Sequence, residues 1–112
     1  MTPAAGLADS IVVNSRAEVL DVIRAKKAEL DKFGVARIGI FGSAARDQLS
    51  AASDVDVLVE FVPGMITLSN FMGTKFLLED EFGRKVDLAT PDVINKPILM
   101  REIQKDLVYY GS

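Results

Sequence analysis

The chain has 112 residues, 13 basic and 16 acidic, for a net charge of −3, and an apolar fraction of 49%; that is the make-up of one globular domain rather than a disordered segment. It contains no cysteine and no histidine, which removes disulfides, zinc-thiolate sites, Ser-His-Asp triads and histidine bases, and leaves carboxylates, lysine, tyrosine or oxygen-bound hard metals for any catalysis. No basic tract points to nucleic acid as the main partner, no apolar run of ~18 residues spans a membrane, and no basic, apolar leader opens the chain, so the cytoplasm is the expected location.

Residues Met1 to Asn14, with their Pro, Ala and Gly, read as an N-terminal arm ahead of a domain over 15–112. Ser15-Arg16-Ala17-Glu18 is a capping box: the serine hydroxyl accepts from the Glu18 amide and the Glu18 carboxylate reaches back. The helix it opens has Val19, Leu20, Ile23, Leu30 and Phe33 on one side, Lys26-Lys27 on the wet side, and Gly34 as its left-handed cap. Val35 to Phe41 follows as a strand, in which Gly39 suggests close approach by another backbone. Gly42 to Leu49 reads as a turn and short helix, and Ser50 to Ser53 as a polar connection.

Asp54 to Phe61 is the second predicted strand. Alternation puts Val55, Val57, Val59 and Phe61 on one face and Asp54, Asp56, Leu58 and Glu60 on the other. Pro63-Gly64 turns the chain into a second helix, Thr67 to Phe82, with Leu68, Phe71, Met72 and Leu78 as buried candidates and Gly83 as its end. Lys85 to Ala89 is a third strand with Val86 and Leu88 inward and Asp87 outward. Pro97 suits the first turn of a last helix to about Lys105, and Leu107 to Tyr110 a final edge strand. The expected fold class is α/β (α+β), a small mixed β-sheet flanked by helices.

The chemistry lies in Gly42-Ser43 and in Asp54-Val55-Asp56. Two carboxylates on one face of a strand repel unless a cation sits between them. Asp54 and Asp56 would bind two magnesium ions about 3.5–4 Å apart, with Asp87 the best candidate for a third carboxylate that orients or deprotonates an acceptor hydroxyl. Gly42 lets backbone approach a triphosphate, and its amide, the Ser43 amide and the Ser43 hydroxyl can donate to phosphate oxygens. Arg46 is either a further phosphate ligand or a structural partner for a carboxylate. Taken singly these features are commonplace: a Gly-Ser turn, a solvated strand end, a surface acid. Glu60 and the Asp80-Glu81 pair read as solvated charges. An EF-hand is excluded, because Leu58 and Val59 stand where that loop needs an oxygen ligand and a glycine. It is the joint arrangement that is specific.

Ile40-Phe41-Gly42-Ser43-Ala44-Ala45-Arg46, Ser53-Asp54-Val55-Asp56-Val57-Leu58-Val59 and Lys85-Val86-Asp87-Leu88 resemble the Gly-Ser-x-Ala-Arg motif, the Ser-Asp-x-Asp motif and the third acid of the nucleotidyltransferase superfamily that includes DNA polymerase beta and the kanamycin nucleotidyltransferases. The likeness runs from about Arg16 to Tyr110 and is greatest to the minimal nucleotidyltransferase domains of bacteria and archaea. One departure is Asp47, where these small proteins usually have glycine. The resemblance implies a palm-like nucleotidyltransferase fold and magnesium-dependent transfer of AMP from ATP. It also implies an antitoxin role, by adenylylation of a tyrosine on a HEPN-domain toxin. Because larger relatives carry a helical acceptor-binding domain, the acceptor surface is expected on another molecule. Two other readings remain open on the sequence: an antitoxin that neutralises by contact alone, and a stand-alone transferase acting on a small molecule. Neither direct nucleic-acid binding nor a membrane is expected, and oligomeric state is left open.

Overall fold

The computed structural model describes residues 12–91 and 96–110. The element order is α1 (Arg16–Ala25), α2 (Lys27–Lys32), β1 (Val35–Phe41), α3 (Gly42–Ala45), β2 (Val55–Phe61), α4 (Leu68–Phe82), β3 (Val86–Ala89), α5 (Pro97–Asp106) and β4 (Val108–Tyr109). Each predicted element is present. Ser15 caps α1 by accepting from the Glu18 amide at 3.1 Å, while the Glu18 carboxylate accepts from the Asn14 amide at 2.7 Å. Thr67 caps α4 in the same manner through the Asn70 amide, and Gly83, at φ 70°, closes it.

The first predicted helix is in fact two, broken at Lys26. Lys26 is not on the wet face as expected: its side chain is 28% exposed and lies 3.6 Å from Glu29 and 3.8 Å from Glu81, so Glu81 is not simply solvated either. Of the expected arm, residues 1–11 lie outside the described residues. Val13 is buried, and its amide donates to the Phe82 carbonyl at 3.0 Å, so the end of the arm is held by the domain.

The four strands form one mixed sheet in the order β3-β2-β1-β4. β2 runs antiparallel to β1 and parallel to β3, and β4 adds antiparallel to the free edge of β1. One face carries the core: Val19, Ile23, Leu30, Val57, Leu78 and Phe82 are fully buried there between sheet and helices α1, α2 and α4. Burial on this scale is the main stabilising term for a domain this size. Leu68, an expected core residue, is 78% exposed, because it occupies the first position of α4, beyond the reach of the sheet. Phe71 and Met72 are half-buried, and Leu78 is fully buried.

The opposite face is where the acids stand, and it is covered in part by α5, which packs against β1. Leu58 and Ile103 are buried outside the main cluster for this reason. Gly39 meets β4 as its sequence suggested: a Cβ there would lie 3.0 Å from the Val108 carbonyl oxygen and from the side chains of Leu107 and Tyr109. Glu60 was expected to be solvated. Instead it accepts from the Tyr109 hydroxyl at 2.8 Å and faces Arg37 at 3.7 Å, whose guanidinium stacks 3.5 Å over the Tyr109 ring. Cross-strand pairing brings these three together, which a reading of one strand at a time misses.

Candidate active site

The site begins with a hydrogen-bond register. In the antiparallel pair, Phe41 stands opposite Asp56; in the parallel pair, Asp56 stands beside Asp87. Asp56 is therefore the middle of a row across the sheet, flanked by the residue that leads into the Gly-Ser turn and by the third acid. Asp54 lies just before β2, on the same side by alternation. Asp54 and Asp87 are exposed, whereas Asp56 is half-buried. Burial, then the neighbouring Asp87 and Asp54, push the Asp56 carboxyl above the ordinary carboxylate range, and Arg46 partly offsets them. Burial disfavours the charged form, and the two neighbouring acids add like-charge repulsion in the same direction.

Gly42 adopts φ 65°, a left-handed conformation, and a Cβ built on it would fall 2.1 Å from Asp56 Oδ2. Glycine is thus required twice over, by the backbone and by the carboxylate seated against it. Gly42 and Ser43 open α3, a single turn whose first amides have no intrahelical acceptor. The residues around this point enclose an open depression of about 290 Å³. Its floor is Phe41, Gly42, Arg46 and Asp56, and its far wall is Leu99, Glu102, Ile103 and Asp106 of α5.

Arg46 is paired: its guanidinium donates to Asp106 at 2.6 Å and to Gln48 Oε1 at 3.1 Å. This makes it a carboxylate partner that ties the end of α3 to α5, and it lines the depression as well. Glu102 and Asp106 had no sequence signal, because they reach the site only when α5 folds back over the sheet.

Among the described residues, no three acids converge as a ready-made cage for a metal ion. That is compatible with magnesium, which keeps several waters and is held through one or two carboxylates together with substrate phosphates. Asp54, Asp56 and Asp87 are hard oxygen donors, the kind of ligand magnesium takes, and in that respect the donor set fits the ion.

Asp47, the departure from the usual glycine, has φ 60° and is the only described non-glycine residue with a positive φ. Aspartate tolerates this region better than most residues. Its carboxylate also accepts from the Arg16 amide at 2.8 Å, a first-turn donor of α1 that would otherwise lack a partner, and the Arg16 guanidinium donates to the Ala45 carbonyl at 3.1 Å. The turn is therefore kept, and its strain is offset by capping α1. Asp47→Asn, which retains both the left-handed tolerance and an acceptor, is expected to melt close to wild type. Asp47→Gly loses only the acceptor, and Asp47→Ala loses both, for about 2 kcal/mol in urea unfolding.

The nucleotidyltransferase domain family model matches residues 22–110. A protein of Methanocaldococcus jannaschii that carries the name of a protein adenylyltransferase is 39% identical over 93 residues, covering 82% of this chain and 94% of its own. The protein adenylyltransferase MntA of Thermococcus cleftensis is 34% identical over 95 residues, covering 82% and 92%. Among solved structures, a minimal nucleotidyltransferase is 29% identical with a TM-score of 0.65, covering 80% of this chain and 93% of that one. A chain of a toxin–antitoxin crystal structure with AMP-PNP has the same fold, at 15% identity and a TM-score of 0.60.

Proposed function

The chain belongs to the nucleotidyltransferase domain family, and on that premise we propose that it is a magnesium-dependent protein adenylyltransferase, an antitoxin that moves AMP from ATP onto a tyrosine of a HEPN-type toxin in the cytoplasm. The observation that carries this reading is the seating of Gly42 against the Asp56 carboxylate, with Asp87 in register beside it. The name of the Thermococcus cleftensis relative supports AMP as the group moved, and the likeness of the motifs to minimal nucleotidyltransferases supports a toxin as acceptor.

In the mechanism, the amides of Gly42 and Ser43 and the Ser43 hydroxyl donate to oxygens of the triphosphate and hold it at the turn. Asp54 and Asp56 would hold the magnesium ions, with Asp87 completing the second. The bound metal would supply charge neutralisation on the phosphates and a lowered pKa for the acceptor hydroxyl. The tyrosine oxygen bonds to the α-phosphorus, the bridging bond to the β-phosphate breaks, pyrophosphate leaves, and the hydroxyl proton passes to the Asp87 carboxylate. No helix among the described residues is long and apolar enough to cross a membrane.

The test is incubation of the chain with the protein encoded in the neighbouring reading frame and with ATP and magnesium, followed by the intact mass of that protein. Mass increments of AMP with wild type, and none with Asp87→Asn despite retained ATP affinity, are the expected result. A tight, neutral complex with no increment from wild type would leave neutralisation by contact as the function.

A further inference from the structure

Arg84 makes four hydrogen bonds to two separate stretches of chain. Its Nη1 donates to the carbonyls of Ser50 at 2.7 Å and Ser53 at 2.8 Å, its Nε to the Val13 carbonyl at 2.7 Å, and its Nη2 to Asn14 Oδ1 at 3.0 Å. Among the described residues it forms no ion pair, so its acceptors are all neutral and the fork is used for its shape. We propose that Arg84 is a positioning residue of the nucleotide site, setting Asp54 and Asp56 against Asp87 without touching substrate. The proposal rests on the nucleotidyltransferase reading above and adds to it a residue outside the motif.

Two features carry the inference. The Ser53 carbonyl belongs to the peptide plane that leads into Asp54, so whatever grips that oxygen fixes the direction in which Asp54 leaves the loop. Ser50 and Ser53 close this loop on themselves, the Ser53 amide donating to the Ser50 carbonyl at 3.1 Å, and Arg84 binds both carbonyls at once. On its own backbone, Arg84 is the residue before Lys85, whose carbonyl accepts from the Val55 amide at 3.0 Å, and it lies three residues before Asp87. One side chain thus refers the strand of the paired acids to the strand of the third acid. Its other end anchors Val13 and Asn14, the lead-in to α1, whose Arg16 in turn holds Asp47 and Ala45 behind the Gly-Ser turn. Both halves of the site are braced from the back through this one stretch of chain.

The experiment compares the full wild-type chain with Arg84→Lys, which keeps the charge but cannot span four acceptors. A control, Ile23→Val, weakens the core through α1 and touches none of the site residues named above. All are studied at a temperature where melting curves show them folded. Amide hydrogen exchange is read without nucleotide, and manganese binding is read with a non-hydrolysable ATP analogue. In Arg84→Lys, exchange at Ser53 and Val55, whose amides donate to the Ser50 and Lys85 carbonyls, is expected to rise on the order of tenfold above any general change, and metal–analogue affinity to fall about tenfold; Ile23→Val leaves both at wild-type values. Wild-type exchange at Ser53 and Val55 in Arg84→Lys would overturn the proposal. Failure of wild type to bind the analogue would instead count against the nucleotide reading, while the exchange data still decide the brace. Should Arg84→Lys not fold, Asn14→Ala removes one acceptor alone: faster exchange at Ser53 and Val55 supports the brace and unchanged exchange overturns it.

Discussion

Gly42→Ala is expected to give a folded protein that has lost magnesium-dependent ATP binding by a hundredfold or more, on the scale that small displacements at a reacting centre produce, roughly 10²-fold. The methyl group would fall 2.1 Å from Asp56 Oδ2, so either the carboxylate or the turn must move, and each is a part of the site. The backbone contributes a second penalty, since φ 65° costs an alanine about 1–2 kcal/mol. Gly64→Ala separates the two effects. Gly64 has φ 86° but nothing within 4 Å of its added Cβ, so that variant should share the loss of stability and keep nucleotide affinity. Calorimetric titration and urea unfolding of both variants make the comparison. Equal affinity in Gly42→Ala and wild type would mean that the Asp56 carboxylate has no part in binding.

Asp56→Asn is expected to abolish transfer and yet to raise Tm at neutral pH in the absence of ligand. The Asp56 carboxyl is raised in the folded protein by burial, by Asp87 and by Asp54. Between its unfolded value and its folded value the native state therefore binds more protons than the unfolded chain, and stability falls as pH rises across that window. Above it, the ionised group opposes folding, and asparagine removes that opposition. The advantage should disappear below the ordinary carboxylate value of 3.8, where wild type is protonated as well. Magnesium and ATP should reverse the order at neutral pH. At a ligand concentration a hundred times the dissociation constant the wild type gains about 2.7 kcal/mol, on the order of ten degrees in Tm, and the variant gains little. Thermal melts of both proteins from acid to neutral pH, with and without ligand, test each part. A lower Tm for the variant in ligand-free neutral buffer would show Asp56 to be a stabilising group instead of one held in place for function.

Local rules carried a large part of the molecule. Ser15, Thr67, Gly34 and Gly83 mark helix ends because capping depends on the residue and its immediate neighbours, and all four occupy those places. The alternation in Val55 to Phe61 and in Val86 to Leu88 assigned each side chain a face, because a strand has only two. For the same reason Asp54, Asp56 and Asp87 could be nominated together before any pairing was known.

Pairing and packing settled the remainder. That Asp56 stands beside Asp87 follows from the parallel register of β2 on β3, which no local signal specifies. Glu60 belongs with Arg37 and Tyr109 because two different neighbours meet β1, and Lys26 is half-buried because Glu81 of α4 lies against the break between α1 and α2. Leu68 is apolar and yet exposed, since helical periodicity names a face but not where the sheet beneath it ends. Arg46 meets Asp106 across 60 positions of chain, and Arg84 reaches back 71 positions to Val13. The sequence by itself determined the elements, their faces and the motif, because these depend on neighbours a few residues away. Only the tertiary structure decided which charges meet and which arginine braces the site, because hydrogen bonds between distant segments depend on how the layers close.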